Sequence, residues 1–111
     1  MTQHDDMARL KHIRDQAQEA ITLLRGKTKN DLENDHILQL ALTRLVEIIG
    51  EASTKVSIEF KQQHKEIPWQ QMKGMRNRLI HDYDNVDLNV LWNAVKYNLP
   101  ELMEKLKTVI D

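Results

Sequence analysis

Apolar residues return every three or four positions along most of the chain, the repeat that lines one face of an α-helix. Between Thr2 and Arg25 the positions Leu10, Ile13, Ala17, Ile21 and Leu24 follow it, predicting an amphipathic first helix. Gly26 stands where such a helix stops, and the run from Thr28 to Asp31 offers a turn and the next N-cap. From about Asp31 to Gln62 no proline interrupts the pattern, so a single long helix is expected there. Its acidic start (Asp31, Glu33, Asp35) suits the positive end of a helix dipole. Such a helix would span about 45 Å at ~1.5 Å per residue, more than a compact domain of this size needs. Gly50 is a candidate bend. Its apolar positions, from Ile37 through Ala41, Leu45, Ile48 and Ala52 to Val56, exceed one narrow stripe, which suggests cover by a second subunit.

Pro68 fits the first turn of a third helix, where its missing N–H costs little. Trp69, Met72, Met75, Leu79 and Tyr83 would form its inward face. Asp84 and Asn85 read as a turn, and Asp87 as the N-cap of a last helix. There Leu88, Trp92, Val95, Leu99, Leu102, Leu106 and Val109 alternate in steps of four and three, a bundle seam. Pro100 falls inside it and should kink or split the helix near Leu99. The fold class is all-α: an antiparallel bundle of four main helices, in one domain covering residues 1–111.

Composition narrows this picture. With 111 residues the chain supports one core, and 41% apolar with 30% charged residues marks it as globular. Only 3 Gly and 2 Pro leave too few turns for an all-β fold. The absence of Cys excludes disulfides, thiolate nucleophiles and cysteine-bound zinc. It fits a cytoplasmic setting. No apolar run approaches the roughly 20 residues of a membrane span, and the polar N-terminus is not a signal peptide. Net charge is −1, unlike a protein that coats nucleic acid. Residues 52–78, however, hold six cations (Lys55, Lys61, Lys65, Lys73, Arg76, Arg78) against Glu59 and Glu66, a local +4 that leaves −5 elsewhere. A basic strip on a neutral protein suits one anionic ligand at one place.

Chemistry concentrates between Arg76 and Tyr83. Asn77 and His81 are four apart and neighbour each other on a helix; Arg76 and Tyr83, seven apart, share another face. At ~100° per residue a straight helix leaves Arg76 and His81 roughly 140° apart. They reach one substrate if the helix ends or bends after Ile80, or if two-fold pairing brings two copies of each group to one cleft. An imidazole titrates near neutrality, and a guanidinium grips phosphate through paired hydrogen bonds. Metal-free RNA cleavage needs a proton-transfer group and a phosphate grip. The scattered histidines show no metal-ligand spacing, and no cofactor is implied. Structural roles compete: Arg76 pairing with Glu47 or Glu51, His81 closing a helix C-terminus, Tyr83 as a core aromatic. Lys73 and Arg78 are either a solvated face or RNA contacts. Trp69 and Trp92 read as core rather than base-stacking platforms.

The stretch PWQQMKGMRNRLIHDYD, Pro68 to Asp84, resembles the signature of HepT-like proteins, a branch of the HEPN superfamily of helical ribonucleases. Pro68, Trp69, Gly74, Met75, Arg76, Asn77, His81 and Tyr83 all match it, and RLVEIIGEAS, Arg44 to Ser53, is similar to the family's central helix. The resemblance implies a metal-independent endoribonuclease toxin of a type II toxin–antitoxin pair, working as a homodimer. Arg76 would polarise the scissile phosphate, His81 transfer the proton and Asn77 orient them. The implied partner is a minimal nucleotidyltransferase antitoxin that silences the toxin by placing AMP on Tyr83, the toxin standing as a homodimer alone or in a larger hetero-oligomer with it. The rival expectation is a non-catalytic helical partner of that nucleotidyltransferase.

Overall fold

The computed structural model describes residues 3–79 and 86–110. It comprises α1 (Gln3–Leu24), α2 (Lys29–Glu33), α3 (His36–Thr54), α4 (Ile58–Gln63), α5 (Trp69–Leu79) and α6 (Leu88–Asn93). A π-helical turn (Ala94–Asn98) then leads into α7 (Leu99–Ile110). The fold is all-α, as its periodicity predicts, and its bundle is built from α1, α3, α5 and the composite last helix. Among the described residues no helix is long and apolar enough to cross a membrane.

Helix α1 packs between α3 and α7, and α5 lies along the other side of α3. Leu10, Ile13 and Ala17 from α1 meet Leu42, Val46 and Ile49 from α3 in a core where each is fully buried. Burying a side chain of this size contributes roughly 1.5–3 kcal/mol, so the periodic stripe is the main force assembling the bundle. Gly26 ends the first helix with φ +78, a left-handed conformation that costs glycine nothing.

The single helix expected from Asp31 to Gln62 is three. Capping chemistry cuts it. Thr28 and Asp31 form a capping box that starts α2, with bonds of 2.8 and 3.1 Å. Asp35 caps α3 through the Leu38 N–H at 3.0 Å, and Ser57 caps α4 through the Phe60 N–H at 3.2 Å. Each cap satisfies backbone donors that a continuous helix would have paired internally, so apolar periodicity alone could not reveal the breaks. Gly50 lies inside α3 and breaks nothing.

The last helix is interrupted where Pro100 demands it. Proline offers no N–H to the carbonyl of Lys96, and the Leu99 N–H reaches Ala94 five residues back, the spacing of a π turn. At the other end Asp87 caps α6 through the N–H groups of Asn89 and Val90. Its own N–H donates to the Leu79 carbonyl at 2.8 Å, clasping the start of α6 to the end of α5.

Candidate active site

Helix α5 positions the candidate cations. Its residues are mostly strong helix formers (Gln, Met, Lys, Arg, Leu) without a β-branched member, and its Pro68 carbonyl accepts the Met72 N–H at 3.1 Å. Met72, Met75 and Leu79 are buried, which turns Lys73, Arg76, Asn77 and Arg78 to the exposed side. Trp69 and Trp92, expected in the core, are only half-buried and pack against its edge.

Arg76 has a seat. A Cβ added to Gly50 of α3 would lie 3.0 Å from the Arg76 Cβ, 3.1 Å from the Met72 carbonyl oxygen and 3.6 Å from the Arg76 Cδ. The missing side chain therefore lets α5 close on α3 and gives the arginine stem a floor, while the residue stays exposed. Read in sequence as a bend, Gly50 is instead a close-approach glycine. The available signal was a lone glycine amid apolar positions of an otherwise unbroken helix.

Among the described residues the guanidinium has no ion-pair partner. Among the described residues the ion pairs are Arg14–Asp15, His64–Glu66, Lys105–Glu101 and Lys107–Glu104. Neither Glu47 nor Glu51 pairs with Arg76, contrary to the structural alternative. Helical spacing puts Lys73, Arg76 and Asn77 in one sector of α5. Arg78 falls roughly 160° from Arg76, and its Nε donates back to the Gly74 carbonyl at 3.3 Å. The structure thus gathers Arg76, Lys73 and Asn77 and sets Arg78 apart. His81 and Tyr83 lie outside the described residues.

Two further residues shape this face: Lys61, which the sequence marked only as part of the basic strip, and Asp6, which no pattern marked. Lys61 of α4 sits with its Nζ 5.8 Å from the centre of the Trp69 ring. Burial, reinforced by the charge of Lys73, holds its pKa below the ordinary lysine value, with Asp6 pulling the other way. Asp6 is a buried carboxylate, only 2% exposed. It accepts from the Ser57 N–H at 2.8 Å and the Ser57 hydroxyl at 2.6 Å, tying the start of α1 to the start of α4. Both contacts join residues distant in sequence, which is why periodicity missed them. Among the described residues no three His, Asp or Glu side chains gather as a metal site would require.

A helical bundle that holds arginine, lysine and amide side chains on one exposed helix face, with no carboxylate against the guanidinium among the described residues, has the donors that charge-assisted hydrogen bonds to an anion such as a phosphate require. The model of the family "Ribonuclease HepT-like" matches residues 13–109. The chain belongs to the HepT-like ribonuclease family. It is 44% identical over 93 residues to the "Probable ribonuclease HepT" of Thermococcus cleftensis, covering 80% of this chain and 84% of that one. A "Putative RNase" of Caldanaerobacter subterraneus subsp. tengcongensis is 34% identical over 102 residues, covering 92% and 91%. Another "Putative RNase", of Methanocaldococcus jannaschii, is 33% identical over 109 residues, covering 98% and 100%. No solved structure matches the chain at a significant level.

Proposed function

We propose that this chain is a metal-independent endoribonuclease in which Arg76 holds the scissile phosphate and His81 moves the proton. One observation carries the reading: an exposed arginine, seated on a glycine and without a carboxylate partner among the described residues, in a member of a ribonuclease family. Support for convergence comes from the clasp between Leu79 and Asp87. The chain leaves α5 at Leu79, about 4.5 Å along the axis from Arg76, and is back at Asp87 within one hydrogen bond. Leu79 and Asp87, which flank His81 and Tyr83 in sequence, therefore meet at the end of the arginine's helix.

In this mechanism an imidazole acting as base takes the proton of the ribose 2′-hydroxyl. The freed oxygen attacks the adjacent phosphorus, the P–O5′ bond breaks, and a proton delivered to the departing oxygen leaves a cyclic phosphate and a 5′-hydroxyl. The guanidinium stabilises the negative charge that grows on the phosphoryl oxygens, and Asn77 orients the reacting groups. Pairing of two chains would bring a second imidazole to serve as acid. The exposed apolar residues of α3, Ile37 at 78% and Leu40 at 57%, supply a surface for that pairing.

The same reading makes the chain the toxin of a two-component system, silenced by a nucleotidyltransferase that transfers AMP to the Tyr83 hydroxyl with release of pyrophosphate from ATP. The added phosphate would compete with RNA for Arg76. Wild type and His81→Ala are to be compared on an oligoribonucleotide in EDTA. Cleavage by wild type to a cyclic phosphate end, lost in the variant, is expected; equal cleavage by both, or by neither, overturns the proposal. Expression without the partner should arrest growth, and Tyr83→Phe should remain toxic beside it.

A further inference from the structure

A groove runs between α4 and the start of α5, lined by Lys61, Lys65, Ile67, Trp69, Gln70 and Gln71. Its volume of about 490 Å³ lies within the ~300–1,000 Å³ range of small-ligand clefts. We infer that this groove is a second nucleotide subsite, in which Lys61 and Lys73 hold an RNA phosphate next to the one at Arg76 and the exposed part of Trp69 receives the attached nucleoside. The inference rests on the ribonuclease reading and extends it along the strand.

Three observations converge on it. The first is register. Trp69, Lys73 and Arg76 are spaced by four and three residues, so they fall in one stripe within about 60° of arc, and Trp69 lies ~10.5 Å from Arg76 along the axis. That is a distance the neighbouring nucleotides of a single strand can span.

The second is rigidity. The Trp69 indole N–H donates to the His64 carbonyl at 2.9 Å, and Phe60 meets the ring edge-on at 6.3 Å and 83°. An aromatic fixed in this way gives up little freedom when a nucleoside packs on it, and every base presents a π-face.

The third is unresolved charge. Lys73 sits close enough to disfavour the proton on Lys61, and among the described residues neither lysine has a carboxylate within ion-pair distance. Asp6 is the acid that acts on Lys61, yet its oxygens are engaged by Ser57. Glu66 is engaged by His64 at 3.5 Å. Two lysines gathered beside the positive end of helix α5 lower their mutual repulsion when an anion sits between them.

The test uses the whole protein, an oligoribonucleotide with one cleavable linkage, the dinucleotide containing only that linkage, and a fully 2′-O-methylated oligonucleotide that cannot be cut. In Lys61→Met and Lys73→Gln we expect KM for the oligonucleotide to rise about fivefold, with kcat within twofold of wild type. Dinucleotide cleavage by Lys61→Met, which lies off the arginine's helix, should not change. Binding of the uncleavable strand should lose about 0.7 from the slope of log K against log salt for each lysine removed. Thermal stability of the free protein should hold or rise, which separates lost contact from misfolding. If both variants cleave, bind and respond to salt as wild type does, the subsite is overturned while the ribonuclease stands. If wild type binds the uncleavable strand with the lysine-dependent slope but cuts nothing, the subsite stands and the catalytic reading falls.

Discussion

Asp31 and Lys61 both have pKa values below their ordinary ones, and the resemblance ends there. At the start of α2 the Asp31 carboxylate is lowered chiefly by the backbone N–H of Thr28 and then by its hydroxyl, so its charge is welcomed. On the α4–α5 face Lys61 is lowered by burial and by another lysine, so its charge is resisted. A lowered acid is a satisfied ion; a lowered base is a frustrated one. The first region spends its polar chemistry on building the bundle. The second holds cations with no carboxylate at ion-pair distance among the described residues, the condition expected of the proposed anion-binding surface.

The largest effect that tests this contrast is on turnover. Arg76→Ala removes the exposed charge nearest the proposed chemistry, and we expect kcat to fall about 10²–10³-fold. Because the residue is exposed and has no ion-pair partner among the described residues, its melting temperature should move little. A variant that loses activity only by unfolding would erase the distinction between the two regions.

Next in size is the loss of pairing. Ile37→Glu combined with Leu40→Glu places charges on the exposed apolar part of α3 without touching α5. Light scattering should report a halved mass and turnover should drop at least tenfold; full activity in a monomer would remove the partner chain from the mechanism.

Gly50→Ala comes third. Its new methyl group meets the Arg76 Cβ at 3.0 Å and the Met72 carbonyl oxygen at 3.1 Å, so α5 must move outward by a few tenths of an ångström. Overpacking of this kind costs typically 1–3 kcal/mol, and a displaced arginine should lower kcat several-fold. Parallel falls in melting temperature and kcat are expected. A large loss of stability with unchanged kcat would show that the seat serves packing alone.

How much of this was legible in the sequence follows from the range of each interaction. Leu10, Ile13 and Ala17, or Leu99, Leu102 and Leu106, declare themselves because a helix face repeats locally, and Pro100 declares its break because its chemistry is its own. Arg76 was legible as a candidate from its residue type, but its exposed side was not, since spacing put it on the face of Tyr83, which was expected to point inward. The breaks at Asn34–Asp35 and near Ser57 were not, since the apolar pattern continues across them and only capping bonds decide them. Nor was the Gly50 seat, the Asp6–Ser57 bond or the meeting of Lys61 with Lys73. Each depends on how two helices cross, which no single helix encodes.

The smallest effect discriminates most finely between the two regions, because its sign rather than its size decides. Asp31, with a folded pKa below 3.8, stabilises the fold fully above that value and loses its contribution as pH falls through the lower folded one. Lys61, with a folded pKa below 10.5, carries its full penalty below that folded value and is relieved of it as pH climbs through it. Asp31→Asn should therefore lower the melting temperature at pH 7, with the deficit closing in strong acid. Lys61→Met keeps the stem that lies on Trp69 and removes the charge, so it should raise the melting temperature at pH 7 by a degree or two, with the gain closing in strong alkali. Thermal melts of the variants at three pH values measure both. If Lys61→Met lowers stability at neutral pH, its charge is satisfied after all, and the α4–α5 face is as structural as the start of α2.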